Sequence, residues 1–185
     1  GHLLNNCKKS LIRYRFRYDS VLSHIVQRII ENKQTIMTIY DNLEGWRVNG
    51  STVPSDLAAT GQMPDIVLLD KEKKMIVLLE LTVPFDSSLE SIKAAQLRKT
   101  DRYDRLTLDL KALGYTAHNM PLEIGSRGVI TARNHMVLAT ICGMCGIKNV
   151  KTFRRTLGKI ALVASHRIYL ARGSSEWTGG QLVKP

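Results

Sequence analysis

Two carboxylates interrupt a stretch of sequence that is otherwise apolar. The runs MPDIVLLD and MIVLLELTV are separated by the polar tetrapeptide KEKK, a pattern that predicts a β-hairpin. If that four-residue loop closes symmetrically, Asp70 pairs with Met75, and Asp65 then lies directly opposite Glu80. Side chains that face each other across neighbouring strands have Cβ atoms about 5 Å apart, where two anions repel.

A bound cation would relieve this repulsion. Mg²⁺, or Mn²⁺ in its place, is the hard, oxygen-binding ion that suits a pair of carboxylates. Held there, the ion can lower the pKa of a bound water and neutralise charge on a phosphate undergoing transfer. The alternative is structural: both side chains lie at strand ends in water or pair with arginine.

The elements that position these acids predict an α/β fold, bordering on α+β, with a mixed sheet flanked by helices. A basic, extended lead-in precedes a helix from about residue 20, and a loop-rich stretch follows, with a short strand at GWRV. After the hairpin come a long helix, the strand YTAHNMPLEIG and two further helices. We divide the chain into a lead-in (1–18), a core (19–147), a basic helix (148–172) and a flexible tail (173–185).

The charge is unevenly distributed over the 185 residues. There are 27 basic and 16 acidic residues, giving a net charge of +11, and both 1–18 and 148–172 contain basic but no acidic residues. Such segregation favours a polyanionic partner, either nucleic acid or an anionic membrane surface. The composition excludes collagen, a disordered chain and a disulfide-stapled miniprotein. With neither a signal peptide nor a bilayer-spanning apolar run, we expect a soluble protein whose three cysteines are reduced.

The segments RYRFRYDSVLSHI, PDIVLLD, ELTVPFD, RKTDRY and EIGSRG, taken in order, resemble the restriction-like endonuclease domain of non-LTR retrotransposons. The resemblance spans about residues 2–172. It implies a PD-(D/E)XK nuclease fold, a Mg²⁺ or Mn²⁺ ion held by Asp65 and Glu80, and nicking of DNA to prime reverse transcription. It also implies a nuclear location, with DNA as the partner and with RNA and a reverse transcriptase domain in the same polyprotein; we expect no membrane partner.

The chain departs from the PD-(D/E)XK pattern where a lysine is expected, because Thr82 stands two residues after Glu80. In the resembled family the lysine moves to the following helix, which here carries Lys99. Lys99 and Tyr103 are four residues apart and therefore share a helix face. The resemblance implies that Lys99 assists catalysis and that Tyr103 contacts the DNA backbone; the alternative is a solvated helix surface with ion pairs.

Several basic residues are predicted to bind nucleic acid. They are Arg15 and Arg17 in the lead-in, Arg127 in the Ser-Arg-Gly turn, and Arg154 and Arg155 in the basic helix. A plain turn is an equally good interpretation of Ser-Arg-Gly. Members of the family often have histidine where this chain has Tyr18. Some related nucleases take an additional acid from the first helix, and the candidates for it in this chain are Asp19 and Glu31.

Zinc is a second candidate cofactor, but only in a longer chain. His2 and Cys7 have the spacing of the second half of the family's zinc knuckle, whose first half would lie upstream. Because structural zinc sites use four protein ligands, we expect weak or no zinc binding by this chain. For Cys142 and Cys145, near His135, we favour buried free thiols over a metal site.

Two other functions remain open. A catalytically inactive nucleic-acid-binding module could retain the nuclease fold, and the absence of a lysine at Thr82 favours it. A membrane-surface protein that uses the C-terminal amphipathic helix fits less well, because Trp177 lies beyond that helix.

Overall fold

The computed structural model describes residues 11–32, 37–41, 43, 53, 57, 62–86, 88–174, 177 and 181–184, without the side chains of 11, 89, 91–96 and 98–101. The helices are α1 (Leu11–Asn32), α2 (Leu89–Ala112), α3 (Ala132–Cys145) and α4 (Val150–Leu170). The strands are β1 (Met37–Asp41), β2 (Ile66–Asp70), β3 (Met75–Thr82) and β4 (Thr116–Glu123).

The four strands form one mixed sheet in the order β1-β2-β3-β4. Strands β1 and β2, and β2 and β3, are antiparallel, whereas β3 and β4 are parallel and are connected through α2. This arrangement confirms the α/β class and the mixed sheet flanked by helices. Within the described chain, no helix has both the length and the apolarity needed to cross a bilayer.

The sheet separates two apolar cores. On one face, residues of α1, α3 and α4 pack against the odd-numbered positions of β3, including Val77, Leu79 and Leu81. On the other face, α2 packs through Tyr103 and other residues against even-numbered positions such as Leu78. Because side chains alternate along a strand, the carboxylate of Glu80 belongs to the α2 face.

The first helix begins earlier than the sequence predicts. The lead-in was expected to be extended, but α1 starts at Leu11 and includes residues 11–18 of the lead-in. The alternation of basic and aromatic residues there is typical of a strand. In the structure these residues are helical, Phe16 and Arg17 are both buried, and α1 packs along α4. Strand β1 was also not predicted, and the proposed strand at GWRV lies outside the described residues.

Two described residues of the segment predicted to be a flexible tail, Trp177 and Val183, pack against α1. The Trp177 ring lies edge-on to Phe16, with ring centroids 5.3 Å apart. The backbone N–H of Val183 donates to the Ser20 hydroxyl over 3.2 Å, and Val183 is buried. Trp177 therefore packs against α1 through its ring.

Candidate active site

Asp65 and Glu80 lie opposite each other at the end of the hairpin. The observed pairing of Asp70 with Met75 and of Ile66 with Leu79 confirms the predicted register. The backbone N–H of Asp65 donates to Glu80 Oε2 over 3.3 Å, and the N–H of Leu81 donates to Asp65 Oδ2 over 2.7 Å. Both acids are almost completely buried. The backbone N–H groups therefore hold two buried carboxylates next to each other.

Helix α1 supplies a third group, the hydroxyl of Tyr18. Burial raises the pKa of this phenol well above its usual value, and the charge of Asp65 and a hydrogen bond to that side chain raise it further. The phenol therefore stays protonated and acts as a donor to Asp65. In the sequence Tyr18 stands out only as a departure from histidine, and nothing in the local pattern indicates that it would reach Asp65.

Helix α2 contributes Tyr103 and Arg102 from the other face. Tyr103 is fully buried, and its hydroxyl donates to the carbonyl oxygen of Met63 over 2.9 Å. Burial raises its pKa, as does the nearby charge of Glu80. In this structure Tyr103 therefore supports the segment that precedes Asp65 from the interior, so it does not present its hydroxyl to a DNA backbone.

Arg102 is the cation nearest to the acid pair among the described side chains. Its Nη1 lies 3.5 Å from Glu80 Oε1, and its side chain is 53% exposed, which marks the solvent side of the pair. The guanidinium also lies over the Tyr103 ring, 5.4 Å from the centroid. Arg102 was not selected from the sequence, although it directly precedes Tyr103 in the RKTDRY segment.

The predicted catalytic lysine belongs to α2, one turn before Tyr103, but the side chain of Lys99 lies outside the described atoms. Thr82 ends β3 on the same face as Glu80 and is the register partner of Glu123 in β4. Among the residues that the structure describes, neither the Thr82 hydroxyl nor the Glu123 carboxylate has a hydrogen-bond partner.

The additional acids proposed from α1 do not join the pair. Asp19 forms an ion pair with Arg15 over 3.5 Å, and Arg15 remains largely exposed. Glu31 accepts hydrogen bonds from Gln27 and Arg28 on the helix surface. It lies thirteen residues beyond Tyr18, which is about 20 Å along the helix axis at 1.5 Å per residue.

The structure places Arg17 in the interior, which corrects its prediction as a phosphate contact. Its exposed fraction is 2%, and it donates to the Ser165 hydroxyl over 3.1 Å and to the Val83 carbonyl over 3.4 Å. Burial lowers the pKa of its guanidinium to about 10, with Asp86 opposing the shift. Arg17 therefore ties α1 to α4 and to the end of β3.

Three predicted nucleic-acid contacts come together elsewhere. Arg127, Arg154 and Arg155 line one groove between the turn after β4 and α4, and Lys159, which we did not select from the sequence, joins them. Lys159 follows Arg155 by four residues, so the helical spacing could have identified it.

The cysteines of α3, Cys142 and Cys145, are buried, and neither forms a disulfide among the described residues. Burial raises the pKa of the Cys142 thiol to about 11, and the sulfur of Cys145 lies 3.8 Å from that of Met37. His2 and Cys7 fall outside the described residues. Across the described chain, no group of three or more His, Cys, Asp or Glu side chains is arranged to hold a metal ion.

The donor set of Asp65 and Glu80 nevertheless suits Mg²⁺. This ion commonly uses one or two carboxylates of a protein and completes its octahedral shell with water and substrate phosphate. Two carboxylates buried next to each other also carry charge that a cation would compensate. The pair would hold the ion only together with water or phosphate oxygens.

Comparisons with known proteins do not identify the chain. No family model matches it, and no curated protein matches it.

Proposed function

We propose that this chain is a metal-dependent DNA endonuclease domain with a PD-(D/E)XK core. Its reaction is phosphodiester hydrolysis that nicks target DNA for target-primed reverse transcription. The observation that carries the proposal is the buried pair of Asp65 and Glu80, which backbone N–H groups hold across the hairpin. Burying two like charges destabilises a folded protein, and a bound cation would compensate both charges.

In the proposed reaction, water adds to phosphorus and the P–O3′ bond breaks, leaving a 3′-hydroxyl and a 5′-phosphate. Mg²⁺ held by Asp65 and Glu80 would lower the pKa of the attacking water and neutralise phosphate charge. Tyr18 orients Asp65 by donating to it, and Tyr103 holds the segment before Asp65. Arg102 is half exposed beside Glu80 and would bind a non-bridging phosphate oxygen.

Lys99 is proposed to stabilise the charge that develops on phosphate. One such charge in an active site changes the rate by about 10²-fold or more. The proposed partners are DNA and, in the same polyprotein, RNA and a reverse transcriptase domain. The proposed location is the nucleus.

A catalytically inactive nucleic-acid-binding module is the second candidate. Two observations favour it: Thr82 replaces the expected lysine, and the Arg102 guanidinium already pairs with Glu80. An internal ion pair of this kind satisfies one acid without a metal.

Nicking of a supercoiled plasmid separates the two candidates. The endonuclease converts the plasmid to relaxed circles in Mg²⁺ or Mn²⁺ but not in EDTA. We expect Asp65→Ala and Glu80→Ala to abolish nicking while DNA binding is unchanged or slightly tighter, because each removes an anion near phosphate. Asp70→Ala, at the far end of β2 from Asp65, is the matched control and should nick. Retained nicking by either active-site variant, in a preparation free of other nucleases, would reject the assignment.

A further inference from the structure

A cationic groove lies between α4 and the turn that follows β4. It has a volume of about 450 Å³, and four of its lining residues are basic, whereas none is acidic. The basic residues are Arg127, Arg154, Arg155 and Lys159. Arg155 and Lys159 are exposed and lie one turn apart, about 6 Å along the axis of α4.

Two glycines bring the walls of this groove together. Gly128 has a φ of +87°, and a Cβ atom added to it would lie 2.7 Å from the carbonyl oxygen of Gly158 in α4. A Cβ on Gly158 would likewise lie 2.8 Å from the carbonyl oxygen of Gly128. The turn therefore contacts the helix backbone directly, which a side chain at either position would prevent.

Asp86 orients Arg127 from behind the groove. Its carboxylate accepts from the Arg127 backbone N–H over 3.1 Å and from Arg127 Nε over 3.3 Å, and the guanidinium lies over the Phe85 ring. The Arg127 side chain is still 53% exposed. Its orientation is therefore fixed before any ligand binds, which lowers the entropy cost of binding.

The groove and the acid pair both lie near the carboxyl end of β3, the groove on the α4 face of the sheet and the carboxylate of Glu80 on the α2 face. The N–H of Ile124 donates to the Thr82 carbonyl, and the N–H of Ser126 donates to the Pro84 carbonyl, so the turn continues along the carboxyl end of β3. Glu80 lies two residues before that end. Only a ligand long enough to cross this end of the sheet, such as a nucleic-acid duplex, would contact both places.

We propose that this groove is a separate docking site for the backbone phosphates of duplex DNA, flanking the phosphate at Asp65 and Glu80. This inference rests on the proposed function. Cations spaced over successive turns of a helix, with an arginine preset on the opposite wall, suit an extended phosphate chain better than a single small anion. The groove supplies affinity, and the acid pair supplies chemistry.

The test compares two double variants with equal loss of charge. Arg154→Gln/Arg155→Gln removes two cations from the groove. Lys71→Gln/Lys111→Gln removes two exposed cations from the opposite end of the strands. Binding of a labelled 30-base-pair duplex is measured by fluorescence anisotropy in EDTA at several salt concentrations. We expect the groove variant to bind about tenfold more weakly and the slope of log K against log salt to fall by about 2, while the control changes little.

Equal weakening of the two variants would overturn the proposal, because charge alone would then explain binding. The proposal would also be overturned if Arg154→Gln/Arg155→Gln weakened binding of single-stranded RNA or of anionic vesicles more than binding of duplex DNA. Such a result would assign a different partner to the groove. The binding assay needs no metal and no cleavage, so it gives its answer even if plasmid nicking fails. Where nicking occurs, the groove variant should raise KM and leave kcat unchanged at saturating DNA.

Discussion

Replacing Asp65 by asparagine should stabilise the metal-free protein and remove its stabilisation by metal. At a charge separation of about 5 Å, the Cβ spacing of cross-strand neighbours, two carboxylates repel by about 3 kcal/mol at an effective dielectric constant of about 20. The asparagine side chain can still accept from the Leu81 N–H and from the Tyr18 hydroxyl, but each bond loses about 1 kcal/mol because it is no longer charge-assisted. The net gain in the free energy of unfolding is about 1 kcal/mol.

Bound metal should make the wild type more stable than Asp65→Asn. An ion at 100 times its Kd adds about 2.7 kcal/mol to the native state, and the variant should lack this contribution. In a domain of this size 1 kcal/mol moves Tm by about 2–4 °C. We therefore expect Asp65→Asn to melt several degrees above the wild type in EDTA, and the wild type alone to gain about 5–10 °C in Mn²⁺.

Differential scanning fluorimetry in EDTA and in a Mn²⁺ titration measures both effects. Asp70→Asn is the control, since it makes the same substitution in β2 beside Lys73, whose backbone hydrogen bond lowers the pKa of Asp70. That variant should melt below the wild type and keep the full shift in Mn²⁺. The reasoning is refuted if Asp65→Asn melts lower than the wild type in EDTA and keeps the same Mn²⁺ shift.

Two further predictions concern the same end of the sheet. Lys99→Ala should slow nicking more than tenfold, whereas Thr82→Ala should matter far less; a rise in activity for Thr82→Lys together with no effect of Lys99→Ala would show that the catalytic lysine is misplaced. Glu123→Gln should raise Tm at pH 7, because burial raises the pKa of Glu123 and its ionised form opposes folding. Since protonation of Glu123 stabilises the fold as pH falls through its native pKa, the difference in Tm should shrink toward pH 5; a difference that grows instead would contradict this sign.

The hairpin could be predicted from sequence because its information is local. Four polar residues between two apolar runs fix the loop, and the loop fixes the pairing of Asp65 with Glu80. Helix α1 was harder to predict, because its basic residues alternate with aromatic residues as in a strand. The burial of Arg17 also depends on a contact with Ser165 in α4. No local pattern contains that long-range contact.

The surroundings of the acid pair required the tertiary structure for the same reason. Tyr18 reaches Asp65 from one face of the sheet, while Arg102 reaches Glu80 from the other. The two helices are far apart in sequence, and only the packing of both layers on β2 and β3 brings them to one site. Residue types and spacing predicted the acids, whereas they could not predict which side chains would contact them.

The position of Thr82 explains why a lysine there would not simply restore the PD-(D/E)XK pattern. Thr82 and Glu123 are partners on parallel strands, so their side chains project from the same face of the sheet. The Glu123 carboxylate is buried and, among the described residues, has no hydrogen-bond partner. A lysine at this position would face the buried Glu123 carboxylate and compensate its charge, so its ammonium group would be directed to Glu123 and away from a phosphate beside Glu80. In Thr82→Lys we therefore expect a gain in Tm that Glu123→Gln abolishes, without a gain in nicking.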